Sequence, residues 1–308
     1  MSHIACFDIG GTFIKYGVFD GHGHLLSKGK TTTPISNEIV DVLNEKVKTF
    51  QLDQPISAIG ISSCGLVDHK RGMILFSNNI DGYSGTQLGE KLSHLTHLPV
   101  SVENDVKSAC LGEMWQGAVK GKSEAVFLTL GTGIGSSIVM DGQVMHGSGG
   151  LAGELGHTVI VAGGKPCSCG RKGCFERYAS TSAFVQDYKD EAIRNGIGVE
   201  IVSGETIMEL VMAGDPVALG VYQRFIRYIS IGVSNVIHLL NPEKIIIGGG
   251  ITEGTGPLFQ DINNQVRNEV MDVYGCEDKV IASALGNDAG LYGACYLALN
   301  RLNMKESV

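Results

Sequence analysis

The chain reads as an α/β protein of two domains sharing a cleft. Three observations predict this: two β-hairpins built to one plan, strands alternating with helical segments through most of the remaining sequence, and a length of 308 residues, enough for two domains. Hydrophobic residues make up 43% and charged residues 18%, the balance of a well-buried globular chain rather than a disordered one. A formal net charge of −8 argues against non-specific nucleic-acid binding, which needs clustered Lys and Arg.

The first hairpin is expected over 4–20. An apolar run at 4–9 ends in Gly10-Gly11-Thr12, and 13–20 alternates well enough for a second strand. Residues 124–141 repeat the plan, with the turn Gly131-Thr132-Gly133-Ile134-Gly135 between an apolar run at 125–130 and the stretch 136–141. A constant offset of 121 residues matches Gly10 with Gly131, Val18 with Val139, Asp20 with Asp141 and Gly21 with Gly142. This implies two related halves, each opening with a hairpin whose turn faces the common cleft. Helices are expected near 36–50, 86–95, 105–118, 180–194, 204–213, 215–240, 257–271 and 288–301, and strands at 56–62, 73–77, 98–102 and 279–285. The buried strand 244–247 leads through Gly248-Gly249-Gly250 towards a helix, a turn against which a flat ring or ribose could lie. Residues 147–156 are too glycine-rich for either regular structure and read as a mobile loop.

Glycine turns of this kind free consecutive backbone N–H groups to converge on an anion, and Thr12 and Thr132 add hydroxyl donors. Neither is a Walker loop, which needs Gly-Lys-Ser/Thr opening a helix, nor a dinucleotide fingerprint, which needs strand–turn–helix. An ordinary hairpin turn explains either segment alone. Two in register, with Asp8 at the lip of the first, point to a nucleotide site. Glu103-Asn104-Asp105 ends the strand at 98–102 and begins a helical pattern, so Asn104 or Asp105 fits a helix N-cap. Asp105 fits a second role equally, a carboxylate at the carboxyl end of a strand that takes a proton from a substrate hydroxyl.

The strongest local signal is a Cys3His set. His157 stands ten residues before Cys167, and Cys169 and Cys174 follow at intervals of two and five, a ligand set for one structural zinc ion. Gly170 and Gly173 permit the tight turns such a site needs. Glu154 and Glu176 are interleaved with the ligands, as if the metal held a polar site in shape. The other five of the eight cysteines, Cys6, Cys64, Cys110, Cys276 and Cys295, are scattered and read as buried thiols. With no signal peptide ahead of the first strand and no apolar stretch of about 18 residues, a reducing cytoplasm is expected.

Together these segments resemble the ROK family of repressors and sugar kinases, in the actin/hexokinase-like superfamily. Asp8-Ile9-Gly10-Gly11-Thr12 and 130–135 resemble its two phosphate loops, Glu103-Asn104-Asp105 its catalytic motif, Gly153-Glu154-Leu155-Gly156-His157 with 167–176 its sugar- and zinc-binding signature, 247–250 its adenosine-side motif, and 285–290 the start of its closing helix. The resemblance implies a two-domain actin-like ATPase (ribonuclease H-like) fold with a zinc-binding insertion in the larger domain. The small domain would be 1–117 plus the C-terminal helix 290–308, and the large domain 118–289. It implies an ATP-dependent kinase acting on the 6-hydroxyl of glucose, N-acetylmannosamine or a β-glucoside, with Mg2+ near Asp8 and structural Zn2+ on His157, Cys167, Cys169 and Cys174. Asp105 would be the catalytic base. Gly65, Asn79, Asn104, Asp105, Glu154, His157 and Glu176 would bind the sugar, and Asp8, Gly10, Gly11, Thr12, Lys15, Gly131, Thr132, Gly133, Gly248 and Gly249 the nucleotide. Kinases of this family often carry Pro-Gly where Cys64-Gly65 stands here. A homodimer is expected, with neither nucleic acid nor membrane as partner. The alternative is a sugar-responsive regulator or non-catalytic sensor. The regulator would need a DNA-binding segment ahead of the strand at residue 4, and the sensor loss of the base at Asp105.

Overall fold

The computed structural model describes residues 2–198, 202–252, 256–275 and 277–306, so Cys276 lies outside the described residues. The chain divides into two compact units, Met1–Gly121 with His146–Ala152 and Asn287–Val308, and Lys122–Met145 with Gly153–Gly286. Residues 146–152, which the sequence assigns to the large domain, group with the first unit.

The first unit carries β1 (His3–Ile9), β2 (Phe13–Asp20), β3 (Leu25–Thr32), α1 (Ile39–Asp53), β4 (Ile56–Ser63), the short pair β5 (Leu66–Asp68) and β6 (Met73–Phe76), α2 (Leu88–Thr96), β7 (Val100–Asn104) and α3 (Asp105–Gln116). Its main sheet has the order β3-β2-β1-β4-β7, antiparallel at the hairpin and parallel from β1 through β4 to β7. Strand β1 is apolar on both faces because both are covered. Ala5, Phe7 and Ile9 join a core with Ile39, Leu43 and Leu92, while Ile4 and Cys6 pack against Leu291, Ala294 and Cys295. Cys6, Cys64, Cys110 and Cys295 are all buried.

The second unit carries β8 (Ala125–Leu130), β9 (Ile134–Met140), β10 (Gln143–Val144), α4 (Glu176–Ala179), α5 (Thr181–Arg194), α6 (Gly204–Met212), α7 (Pro216–Leu240), β11 (Lys244–Gly248), α8 (Leu258–Glu269) and β12 (Val280–Ala282). Its sheet order, β10-β9-β8-β11-β12, repeats the first strand for strand, with the same antiparallel-then-parallel pattern. A core built from Val126, Leu128, Phe225, Ile229, Ile245 and Ile247 holds α7 against this sheet. The last helix, α9 (Ala289–Glu306), packs on α3 and on the sheet of the first unit.

Several sequence expectations shift. Strand β3 has an exposed face carrying Lys28 and Lys30 and a half-buried glycine between them, which hides its pairing from a periodicity reading, and β5 and β10 are too short to register. The strand expected at 279–285 shortens to β12. The triple glycine leads into a single 3₁₀ turn, Gly250–Thr252, and α8 starts only at Leu258. The offset of 121 also fails to carry through as pairing. Asp8 pairs with Lys15 in the first hairpin, whereas Thr129 pairs with Gly135 in the second, because the second turn is one residue tighter. Among the described residues, no helix is long and apolar enough to cross a membrane.

Candidate active site

In the first unit the site gathers at the carboxyl ends of β1, β4 and β7, which run parallel and so deliver their last residues to one edge. Asn104 ends β7 with extended backbone, and its side-chain oxygen accepts hydrogen bonds from the N–H groups of Val106 and Lys107, both at 3.1 Å. This is the N-cap of α3, and it decides between the two roles open in the sequence. The cap belongs to Asn104, while Asp105 only shares the Val106 N–H, at 2.9 Å. The Asn104 amide nitrogen donates to the Gly65 carbonyl at 2.9 Å and to Asp105 Oδ1 at 2.7 Å, so one side chain caps the helix, ties down the 64–65 loop and aims the carboxylate.

Burial, and after it the charge of Asp8, pushes the Asp105 carboxyl up to about 7, against the hydrogen bonds from the Val106 N–H, the Asn104 amide and its own backbone N–H that favour its ionised form. A carboxyl held near neutrality is the condition for a general base working at ordinary pH. Asp8 itself accepts a hydrogen bond from Ser62 Oγ at 2.7 Å and faces Lys15 Nζ at 3.4 Å. Lys15 also donates to the Asn287 carbonyl at 2.7 Å, just ahead of α9. Gly11 lies against Asn79: a Cβ built on Gly11 would stand 2.9 Å from the Asn79 carbonyl oxygen, so the first glycine turn and the 77–87 loop touch. Cys64 is buried, and burial, with the nearby Asp105 charge, raises its thiol to about 11. Ser62, absent from the sequence expectations, lies on β4, which is buried along nearly its whole length, so no alternation marks the face turned to Asp8.

In the second unit, the turn at 131–133 borders a cavity of 390 Å³ lined by Gly131, Thr132, Thr181, Ser182, Gly250 and Ile251, among others. Gly249 has a φ of +114°, and a Cβ there would stand 2.2 Å from the Leu130 carbonyl oxygen, so the triple-glycine turn approaches the β8–β9 turn as only glycine allows. Thr181 Oγ1 donates to the Leu130 carbonyl at 3.0 Å, and the Ser182 N–H to the Gly131 carbonyl at 3.2 Å. Helices α5 and α6, each capped by a serine side chain (Ser180 and Ser203), point their N-termini at this cavity wall. Thr181, Ser182 and Glu205 went unread in the sequence, although the two serine caps were the available signal.

The Cys3His set also assembles in this unit. One ligand atom from each of His157, Cys167, Cys169 and Cys174 can be chosen so that all lie within 4.8 Å of one another. Cys169 and Cys174 Sγ are 3.6 Å apart, and Cys167 Sγ is 3.7 Å from His157 Nδ1. Ligands about 2.3 Å from a tetrahedral centre lie about 3.8 Å apart, so donor chemistry and spacing both fit zinc. Gly170 and Gly173, at φ +85° and +84°, make the turns that fold the thiols together. Burial pushes the Cys167 thiol up to about 12 and raises Cys174, while the Arg171 backbone N–H holds Cys169 below its usual range. Glu176, at the start of α4, connects this cluster to the glycine turn. Its Oε1 accepts from Cys167 Sγ at 3.0 Å, and its Oε2 would lie 2.5 Å from a Cβ on Gly133. Glu154 stands exposed one residue before the 3₁₀ turn that carries His157.

A family model described as the ROK family matches residues 4–301. A glucokinase of Halalkalibacterium halodurans is 32% identical over 97% of this chain and 96% of its own length. A β-glucoside kinase of Listeria monocytogenes is 33% identical over 98% and 99%. The crystal structure of a ROK family glucokinase from Streptomyces griseus, in complex with glucose and AMPPNP, shares 34% identity, covers 97% of this chain and 100% of its own, and superposes with a TM-score of 0.83.

Proposed function

We propose, for a chain that belongs to the ROK family and is an ATP-dependent sugar kinase, that the acceptor is the 6-hydroxyl of a hexose or hexosamine and that Asp105 is the base. The observation that carries this reading is the Asp105 carboxyl, raised to about 7 and aimed by the Asn104 amide. Asp105 takes the hydroxyl proton as that oxygen attacks the terminal phosphorus, and the phosphorus–oxygen bond to ADP breaks. Asn104, Gly65 and Asn79 in the first unit bind sugar hydroxyls. Glu154, His157 and Glu176 in the second carry the same assignment.

The turns at 10–12 and 131–133, with Lys15, offer N–H, hydroxyl and ammonium donors to the phosphates. The 390 Å³ cavity, mostly apolar and lined by Gly250 where the turn of Gly248 and Gly249 ends, suits an adenosine. Asp8 is the residue that would hold Mg2+, since a single carboxylate with substrate phosphates is a usual magnesium environment, and the ion would supply compensation for the charge on the transferring group. Zinc on the Cys3His set would fix the loop bearing Glu176. Glucose is the proposed first substrate, in line with the glucokinase relatives, with N-acetylmannosamine and β-glucosides as the competing sugars. The chain is proposed to act as a cytoplasmic homodimer. Assaying a panel of sugars with ATP, and locating the product phosphate by NMR, tests this. Phosphate at C6 of a hexose is the expected result. Lack of turnover with every hexose and hexosamine, while ATP binds, would overturn it.

A further inference from the structure

The structure assigns a second metal site, distinct from the Cys3His set, to His69, Glu103 and His146. All three belong to the first unit but come from separate stretches: His69 follows β5, Glu103 is the penultimate residue of β7, and His146 opens the segment 146–152. One ligand atom of each can be chosen so that all lie within 4.8 Å of one another. The rings of His69 and His146 stack with centroids 3.7 Å apart and planes inclined by 21°. Glu103 is only 2% exposed. Its Oε1 accepts the Asn104 N–H at 2.9 Å, and its Oε2 meets His146 Nε2 at 2.7 Å.

This arrangement favours a cation beside Glu103. A buried carboxylate demands compensation, and among the described residues the ion pairs give Glu103 no Lys or Arg, only His146. Two face-to-face imidazoles cannot both take a proton without mutual repulsion, so at least one presents a nitrogen lone pair. Two imidazole nitrogens and one carboxylate oxygen suit a divalent ion of borderline softness such as Zn2+ or Co2+ better than Mg2+, which prefers oxygen ligands. His146 is 23% exposed, which leaves a way in from solvent and room for water as a further ligand. A bound ion would link the start of 146–152 to the end of β7 just before Asn104 and Asp105. That segment already touches α3, through the hydrogen bond from Lys107 Nζ to the Gly150 carbonyl at 2.9 Å.

Cobalt distinguishes the two sites, because thiolate ligands give intense charge-transfer absorption and an N2O set gives only weak d–d bands. Metal-free protein titrated with Co2+ should take up two equivalents, one with the intense band and one without it. In His69→Ala and in His146→Gln the second equivalent should bind at least about tenfold more weakly, while the intense band is retained. His69→Ala removes a partly exposed side chain and serves if His146→Gln fails to fold. Uptake of a single, thiolate-type equivalent, or a second equivalent that binds unchanged in either folded variant, would overturn the assignment. Loss of the intense band with the weak bands intact would instead count against the Cys3His reading and leave this one standing.

Discussion

After β1, the glycine turn of the first unit is surrounded by charge: Asp8 with Ser62 and Lys15 beside it, and Asp105 close enough for the Asp8 charge to raise its pKa. After β8, the turn of the second unit has Thr129 where the repeat puts Asp8, and its surroundings are glycine, hydroxyls and apolar side chains around a cavity. The two sheets share one strand order. What differs is the set of side chains delivered to equivalent strand ends. On the proposed reading, a repeated scaffold carries two jobs, proton chemistry on one copy and nucleoside accommodation on the other.

If that division is right, Asp105→Asn should lower kcat by about 10²–10⁴-fold and leave KM for sugar and for ATP within about tenfold. Steady-state kinetics that show a KM effect with kcat intact would place the chemistry elsewhere. Removing the zinc proposed for the second unit should act differently, raising KM for sugar about 10–100-fold and lowering the thermal midpoint, because Glu176 would lose its support. A chelated protein, shown metal-free by elemental analysis, with unaltered sugar KM would break the link between cluster and site.

Gly249→Ala must strain a residue at φ +114° and push a Cβ onto the Leu130 backbone oxygen. The expected cost is about 1–3 kcal/mol in denaturant unfolding, with a raised KM for ATP and little change for sugar. An effect on sugar KM alone would blur the comparison.

The next test is pH. The proposed base works ionised, and burial pushes the Asp105 carboxyl up to about 7, so kcat/KM should rise with pH through about 7 and level off above it. Burial is the larger cause and the Asp8 charge the second. In Asp8→Asn the acid limb of the remaining activity should therefore move to lower pH yet stay above the ordinary carboxylate range. The same shift has a stability sign: the folded state favours protonated Asp105, so its contribution is most favourable below the unfolded pKa of about 4 and is lost as pH rises through about 7. Asp105→Asn should accordingly melt higher than the parent at pH 8 by more than at pH 5. The smallest effect is expected of Gly131→Ala, whose Cβ meets nothing within 4 Å. Stability should stay within about 0.5 kcal/mol, and a much larger loss would show that this turn is less open than its geometry.

The sequence by itself determined what depends on near neighbours along the chain. The Cys3His spacing, the glycine turns at 10–12 and 131–133, most of the helices and the Glu103-Asn104-Asp105 motif were legible because ligand spacing, turn chemistry and 3.6-residue periodicity are local properties. Tertiary structure decided the rest. Whether Asn104 or Asp105 caps α3 depends on where Gly65 lies, 39 residues away. The raised protonation of Asp105 depends first on its burial and then on Asp8, brought alongside by parallel pairing through β4. The cavity at the second turn needs the starts of α5 and α6 and the 248–250 turn to converge, and the His69–Glu103–His146 cluster unites three stretches with no common motif. Burial and charge act through space, and distance in space between remote residues is set only when the sheets have paired and their cores have closed.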